Sequence, residues 1–370
     1  MKQNNFNVMH VTEIDNDLSK GTSTIIPQYI ISQKKVMDNV ALLNCNNIKL
    51  EKLSKVNNIY KLDDNVNMDA VKNFKPSLLV FHEVYKPYYL KLYKYCLKNN
   101  IPYIIIPHGC LTIDAQNHKR IKKILGNTIF FNDFLKHAKY IQYLSKNEYD
   151  KTKFSKLNYY ILGNGVDSIP QNNVYKETER NIQKGLNLIY VGRYDYLIKG
   201  LDKLILACLL IKGEMVRRNI KVNLFGIGDE NSENIIKKNI KKYNLENIVL
   251  FNGPIYNLEK RKKILENDVF IQVSRTEGQP LGIMEAMSLG MPLLISDGTG
   301  FEKIVKDNQC GVTTKCDEKM ISEAILNIYE LKEKLEKFSD CSYQYAKKNF
   351  SWSYIAELSI KKYSQIIRGE

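Results

Sequence analysis

The stretch that most constrains this chain runs from Val269 to Asp297 and reads VFIQVSRTEGQPLGIMEAMSLGMPLLISD. The apolar run Val269 to Val273 has the length and continuous hydrophobicity of a strand buried on both faces, as in a parallel sheet. A polar turn, Ser274 to Gly278, interrupts it. Pro280 suits the first turn of a helix, where a missing N–H costs nothing. Ile283, Met284 and Met287 supply that helix with an apolar stripe, and Gly290 followed by Pro292 ends it. Leu293 to Ile295 then resumes the sheet. A strand, turn, helix and strand in that order imply an α/β fold. They place Glu277 in the crevice beyond a strand's carboxyl end, where open parallel sheets bind ligands.

Two carboxylates in this unit invite a chemical reading. Glu277 is in the turn and Glu285 is inside the helix. Between them, backbone N–H groups at the helix start, near Leu281 and Gly282, lack intrahelical partners and favour an anion such as a diphosphate, with Gly278 of the turn also expected at the donor. Carboxylates on either side could grip hydroxyls of the same ligand. A turn glutamate and a helix glutamate are ordinarily just solvated. The strand end, the Gly-Gln-Pro turn and the small-residue helix shift the balance toward a ligand site.

With its two glutamates, this stretch resembles the Glu-x7-Glu signature of the retaining nucleotide-sugar glycosyltransferases of GT-B architecture, often called family 4. Other motifs carry the same resemblance. An apolar strand, Leu186 to Val191, ends in Gly192-Arg193, and Lys199-Gly200 opens the next helix. In the family this Arg and Lys contact the donor diphosphate, and two cations there neutralise a diphosphate leaving group as its charge develops. Gly163-Asn164-Gly165-Val166-Asp167 resembles the family's Pro-Asn-Gly-Val-Asp, with Gly163 where Pro is usual. Gly298-Thr299-Gly300-Phe301-Glu302 departs from its Gly-Gly-x-x-Glu, and Phe350-Ser351-Trp352 is similar to its closing segment. The resemblance implies two doubly wound, Rossmann-like domains facing each other across a cleft. The domains expected are residues 1–168 for the acceptor and 186–350 for the nucleotide sugar. Residues 169–185 would link them, and 351–370 would form a helix crossing back to the first domain.

Length and composition agree with that scheme. The chain has 370 residues, long for one domain, with 44% hydrophobic and 26% charged residues, as in a soluble globular protein. No apolar run approaches the ~20 residues needed to cross a bilayer, and no signal-peptide pattern is seen at the start. The seven cysteines are scattered without metal-binding spacing, so reduced thiols in a cytoplasmic protein are expected. Gly226-Ile227-Gly228 is too short for a dinucleotide fingerprint.

The first half is read from its strand ends. Apolar runs at Phe6 to Val11, Val40 to Leu43, Leu78 to Phe81, Tyr103 to Ile106, Tyr140 to Leu144 and Tyr159 to Leu162 read as strands. Gly21 precedes an apolar-periodic helix at a position where backbone could approach a phosphate. His108 follows three isoleucines and Pro107 and so emerges at the carboxyl edge of the sheet. Family members resemble this with a His-Gly after the same strand, facing the donor sugar. His82 and Glu83 would line the same cleft.

Net charge is +15, carried mostly by the first half. Lys91, Lys94 and Lys98 are spaced to share one helix face, with Tyr88, Tyr89 and Tyr93 nearby. Lys119, Arg120, Lys122 and Lys123 form a tighter cluster. A solvated face explains these equally well; the alternative is an anionic membrane surface or a lipid-linked diphosphate.

The implied activity is transfer of a sugar, with retention, from a nucleoside diphosphate donor (UDP is expected) to a glycan acceptor. The acceptor is expected to be lipid-linked, in bacterial surface polysaccharide synthesis, with the enzyme cytoplasmic or peripheral on the inner face of the membrane. Glu277, His108, Arg193 and Lys199 would be catalytic; Glu285 would hold the ribose. No metal or other cofactor is expected: Asp15-Asn16-Asp17 reads as a polar loop. A nucleotide-sugar epimerase of the same architecture is the nearest alternative. A nucleic-acid-binding protein is another, although no nucleic-acid module is recognisable.

Overall fold

A computed structural model describes residues 6–17, 21–46, 59–61, 68–117, 126–167 and 185–370. The chain divides into two compact units. Unit 1 comprises residues 1–165 and 352–370, and unit 2 comprises 166–351. The segment read as a linker, 169–185, lies outside the described residues except at Gly185, and so does the cluster Lys119, Arg120, Lys122 and Lys123.

Among the described residues, unit 1 is built on seven parallel strands: β1 (Val8–Thr12), β2 (Val40–Asn44), β3 (Ile59–Lys61), β4 (Leu78–His82), β5 (Tyr103–Ile106), β6 (Tyr140–Tyr143) and β7 (Tyr159–Ile161). Their order is β3-β2-β1-β4-β5-β6-β7. Every residue of β1, β2, β4 and β5 is buried, because helices cover both faces. Val8, Leu42, Val80 and Ile104 pack on one face with the helices Gly21–Lys34 and Trp352–Arg368. Met9, Leu43, Phe81 and Ile105 pack on the other with the helix Tyr89–Lys98. The last helix belongs to this core through Trp352, Ile355, Ile360, Tyr363 and Ile366.

Unit 2 repeats the plan with six parallel strands among the described residues: β8 (Leu186–Val191), β9 (Ile220–Phe225), β10 (Val249–Asn252), β11 (Val269–Gln272), β12 (Leu293–Ser296) and β13 (Gly311–Thr314). Their order is β10-β9-β8-β11-β12-β13. In both units the strand order reverses beside the first strand, between β1 and β4 and between β8 and β11. Doubly wound sheets open their ligand crevice at such a point. Val166 and Ser351, the first and last residues of unit 2, form a parallel bridge, with Val166 N–H donating to Phe350 O at 2.7 Å.

The strand–turn–helix–strand reading of 269–297 matches β11, the helix Leu281–Ser288 and β12. One detail differs. Pro280 flanks the helix with non-helical φ −81° and ψ 83°, and the helix starts at Leu281. The far end is as expected from Gly290, whose φ is +70°. Gly290 N–H donates to Met287 O and Met291 N–H to Ala286 O, both at 2.9 Å, a Schellman closure. Strands β3 and β13 were not anticipated. Both are short and lie at sheet edges, and Gly311 breaks the apolar run of β13.

Candidate active site

The mouth of unit 2 is assembled from the ends of β8 and β11, the two strands at its switch point. Arg193 follows β8 by two residues. Its carbonyl accepts the hydroxyl of Tyr190, which is buried beneath the loop, at 2.7 Å. The Arg193 side chain is exposed and makes no ion pair with a described residue. The loop is held from the other side by Gly226: a Cβ there would sit 1.9 Å from Gly192 O, so only glycine lets the loop after β9 lie against it. The Gly226-x-Gly228 pair is therefore a packing device.

Glu277 hangs from the turn after β11 and is fixed by its neighbours. Its Oε1 accepts from Lys199 Nζ at 2.7 Å, Gln272 Nε2 at 2.6 Å and Ser274 Oγ at 2.6 Å, and Oε2 lies 2.9 Å from Lys199 Nζ. The Lys199 and Glu277 side chains are only 15% and 10% exposed, so the pair is largely shielded from water. A carboxylate anchored this way keeps its orientation when a ligand arrives. Gln272 and Ser274, polar side chains at the end of an apolar strand, went unnoticed in the sequence. Their signal was alternation, since both stand two residues apart on the face that carries Glu277.

The helix beyond the turn supplies fewer open amides than its sequence suggests. Leu281 N–H donates to Gln279 O at 3.0 Å, and Met284 N–H closes the first turn on Pro280 O at 3.1 Å. The amides of Gly282 and Ile283 remain at the helix start. The helix passes close to β8 there: a Cβ on Gly282 would lie 3.2 Å from Val191 O. Around Gly278 and Gly21 the space is open. Glu285, half-buried one turn into the helix, pairs with Lys260, a partner the sequence did not reveal. Glu302 is turned to its own helix, where it pairs with Lys306 at 2.6 Å.

In unit 1, His108 does follow the carboxyl end of β5, in a left-handed conformation with φ +49°. Gly109 N–H donates to the buried Glu148 carboxylate at 2.5 Å, and Leu144 N–H donates to its other oxygen at 2.6 Å. Burial pushes the Glu148 carboxyl up, against the two amides that hold its charge. His82 does not line the mouth as expected: it is buried and stacked between His10 and His108, with ring centroids 5.2 Å from each. Glu83 is the residue that turns outward, pairing with Lys86 at 3.3 Å. Burial lowers His10 to about 4 and His82 well below its ordinary value.

Of the basic residues, Lys91, Lys94 and Lys98 are exposed along the helix Tyr89–Lys98. The aromatic residues expected beside them are mostly core: Tyr89 donates to His82 O at 2.6 Å and Tyr93 to Asp133 at 2.8 Å, leaving Tyr88 exposed. The apolar stripe of the helix claims both buried tyrosines. Among the described residues, no helix is long and apolar enough to cross a membrane, and no three metal-ligating side chains converge.

Residues 171–345 match the family Glycosyl transferases group 1. Protein CapJ of Staphylococcus aureus is 37% identical over 87 residues, 23% of this chain and 22% of that protein, so the match spans about a fifth of that relative. Among solved structures, Anabaena HepE in complex with UDP and glucose superposes with a TM-score of 0.71 at 14% identity, over 97% of this chain and 100% of that one. The lipopolysaccharide outer core galactosyltransferase WaaB does so with a TM-score of 0.65 at 16% identity, over 98% and 99%. The chain therefore carries a segment that matches glycosyl transferases group 1, within a GT-B fold.

Proposed function

We propose that this protein transfers a sugar, with retention of anomeric configuration, from a UDP-linked donor bound by unit 2 to a glycan acceptor bound by unit 1. The observation that carries the reading is the convergence at one switch point of an exposed guanidinium, a shielded Lys–Glu pair and a helix start. Arg193 and Lys199 stabilise the departing diphosphate, helped by the amides of Gly282 and Ile283. Glu277, held by three donors, accepts hydroxyls of the donor sugar, and Glu285 accepts those of the ribose. His108, just beyond the carboxyl end of β5, contacts a substrate hydroxyl. The leaving phosphate takes the acceptor's proton on the same face, which accounts for retention without a separate base. HepE, whose complex holds UDP and glucose, supports the choice of nucleotide.

The acceptor is a lipid-linked glycan of a bacterial surface polysaccharide, with the enzyme on the inner face of the membrane. The likeness to WaaB and the exposed row Lys91, Lys94 and Lys98 beside Tyr88 support this. Flotation with vesicles rich in anionic lipid, with and without Lys91 and Lys94 changed to Glu, tests it. Equal flotation of the two proteins removes the membrane part.

The donor reading is tested by thermal unfolding with excess UDP, GDP or ADP. A nucleotide at a hundred times its Kd adds about 2.7 kcal/mol of stability. A shift with UDP that is lost in Arg193→Ala is the expected result. In the same variant kcat falls by roughly 10²–10³, the loss typical of one charge-stabilising donor. Normal turnover by Arg193→Ala sinks the assignment.

A further inference from the structure

Three histidines that are far apart in the chain form one hydrogen-bonded line inside unit 1. The sheet register builds it. His10 pairs with Val80 across β1 and β4, and His82 pairs with Ile106 across β4 and β5. His82 stands two residues beyond Val80, and His108 two beyond Ile106. Alternation puts residues two apart on one face, so the imidazoles climb like a staircase. His10 Nδ1 lies 2.9 Å from His82 Nε2, and His82 Nδ1 lies 2.9 Å from His108 Nε2. The line continues inward, with His10 Nε2 at 2.7 Å from Gln33 Oε1 and Gln33 Nε2 at 2.8 Å from Ser359 Oγ.

The far end decides where every proton sits. The Ser359 hydroxyl donates to Ala356 O at 2.8 Å, so towards Gln33 it can only accept. Gln33 therefore turns its NH₂ to Ser359 and its oxygen to His10, which must place a hydrogen on His10 Nε2. A neutral imidazole carries one N–H. His10 Nδ1 is then an acceptor, His82 Nε2 carries the hydrogen that meets it, and His108 Nε2 carries the hydrogen that meets His82 Nδ1. His108 Nδ1 is left with a lone pair and has no partner among the described residues. A proton added to His10 or His82 would set two N–H groups head to head. Only at His108 Nδ1 can one be accepted with every bond of the line kept. Gln33, an amide, cannot take up a proton, so the line is not a conduit.

We propose that Gln33, His10 and His82 are positioning residues that hold the hydrogen of His108 on Nε2 and so present Nδ1 as an acceptor to a substrate hydroxyl at the carboxyl end of β5. The substrate part rests on the glycosyl-transfer reading above; the tautomer part does not. Hydroxyl-rich ligands suit such a group, because a bare imidazole nitrogen accepts from an O–H without charge.

The experiment is nitrogen-15 NMR of the histidine rings in the full chain, assigned by single His→Gln variants. The expected result is a neutral Nε2–H ring at His10, His82 and His108 near neutral pH. In Gln33→Leu, His108 loses that fixed form. A wild-type His108 with its hydrogen on Nδ1, or mixed between the nitrogens, overturns the proposal, as does a His108 signal unmoved in folded Gln33→Leu. Kinetics supply the second arm. Gln33→Leu lowers kcat about tenfold, the loss of roughly one hydrogen bond, with donor KM nearly unchanged. Gln33→Leu added to His108→Ala lowers it no further. An additive double variant overturns the action through His108. Absence of any glycosyl transfer would refute the functional reading while leaving the tautomer result intact.

Discussion

The Lys199–Glu277 pair gives the sharpest quantitative test. Changing Lys199 to Met removes the ammonium that contacts both oxygens of Glu277, at 2.7 and 2.9 Å. Breaking one partner of a buried ion pair typically costs about 3–5 kcal/mol, because the other charge is stranded. Here Glu277 keeps Gln272 and Ser274, each at 2.6 Å, so the cost should fall to about 1.5–3 kcal/mol, the worth of hydrogen bonds to a charged group. For a domain the size of unit 2, each kcal/mol lowers Tm by about 2–4 °C. Lys199→Met should therefore lower the calorimetric Tm by about 3–12 °C. Glu277→Gln in the Lys199→Met background should return part of that loss, with a coupling of about 1–3 kcal/mol in the double-mutant cycle. Additive effects, or an unchanged Tm in Lys199→Met, would refute the claim that the pair is shielded and structural as well as poised at the donor. UDP should restore less stability to Lys199→Met than to wild type, since the lysine then serves neither partner.

Three further outcomes follow from the geometry. His10 is held neutral at about 4 by burial, so the unfolded chain takes up a proton that the native one refuses between pH 6.5 and 4. Stability is complete above pH 6.5 and falls as pH drops through that window, by about 3 kcal/mol for His10 alone; urea titrations that give equal stability at pH 7.5 and 5 would contradict it, and His10→Gln should flatten the slope. Gly226→Ala drives a methyl into Gly192 O and should cost at least about 3 kcal/mol, the upper end for overpacking, while abolishing the UDP-induced Tm shift. The segment 166–351 expressed alone should fold and keep that shift, because its two apolar clusters close within it. An unfolded fragment by circular dichroism would refute that.

What could be read from the chain in advance was local. The strands of 269–297 announced themselves because Val269 to Val273 and Leu293 to Ile295 are buried on both faces, and Gly290 and Pro292 punctuate the helix between them. Arg193 and His108 were legible for the same reason, since each stands two residues beyond an apolar run. Partnerships across strands were not. Lys199 was assigned to a diphosphate, and nothing in its neighbourhood shows that Glu277 reaches back to it. His10 passed unnoticed and His82 was placed at the mouth, because their roles depend on the register of β1, β4 and β5. Tyr89 and Tyr93 were read as surface aromatics, although their spacing also fits the buried stripe that the helix presents to Phe81 and Phe134.

The return of residues 352–370 to the first sheet has a consequence for how the protein is made. Synthesis delivers the seven described strands of unit 1 by Ile161, yet the helix Trp352–Arg368, which covers one face of that sheet together with Gly21–Lys34, emerges only after the whole of unit 2. At about 5–20 residues per second, the delay is on the order of 10–40 s. Unit 2 is contiguous and can close first, reversing the usual N-terminal-first order. Meanwhile the groove that will receive Trp352, Ile360 and Tyr363 stays uncovered, a surface suited to a chaperone or to misassociation between nascent chains. Ser359 arrives on the same late helix. Unit 1, begun before unit 2, is thus completed after it, and its histidine line is set only when the helix Trp352–Arg368 docks.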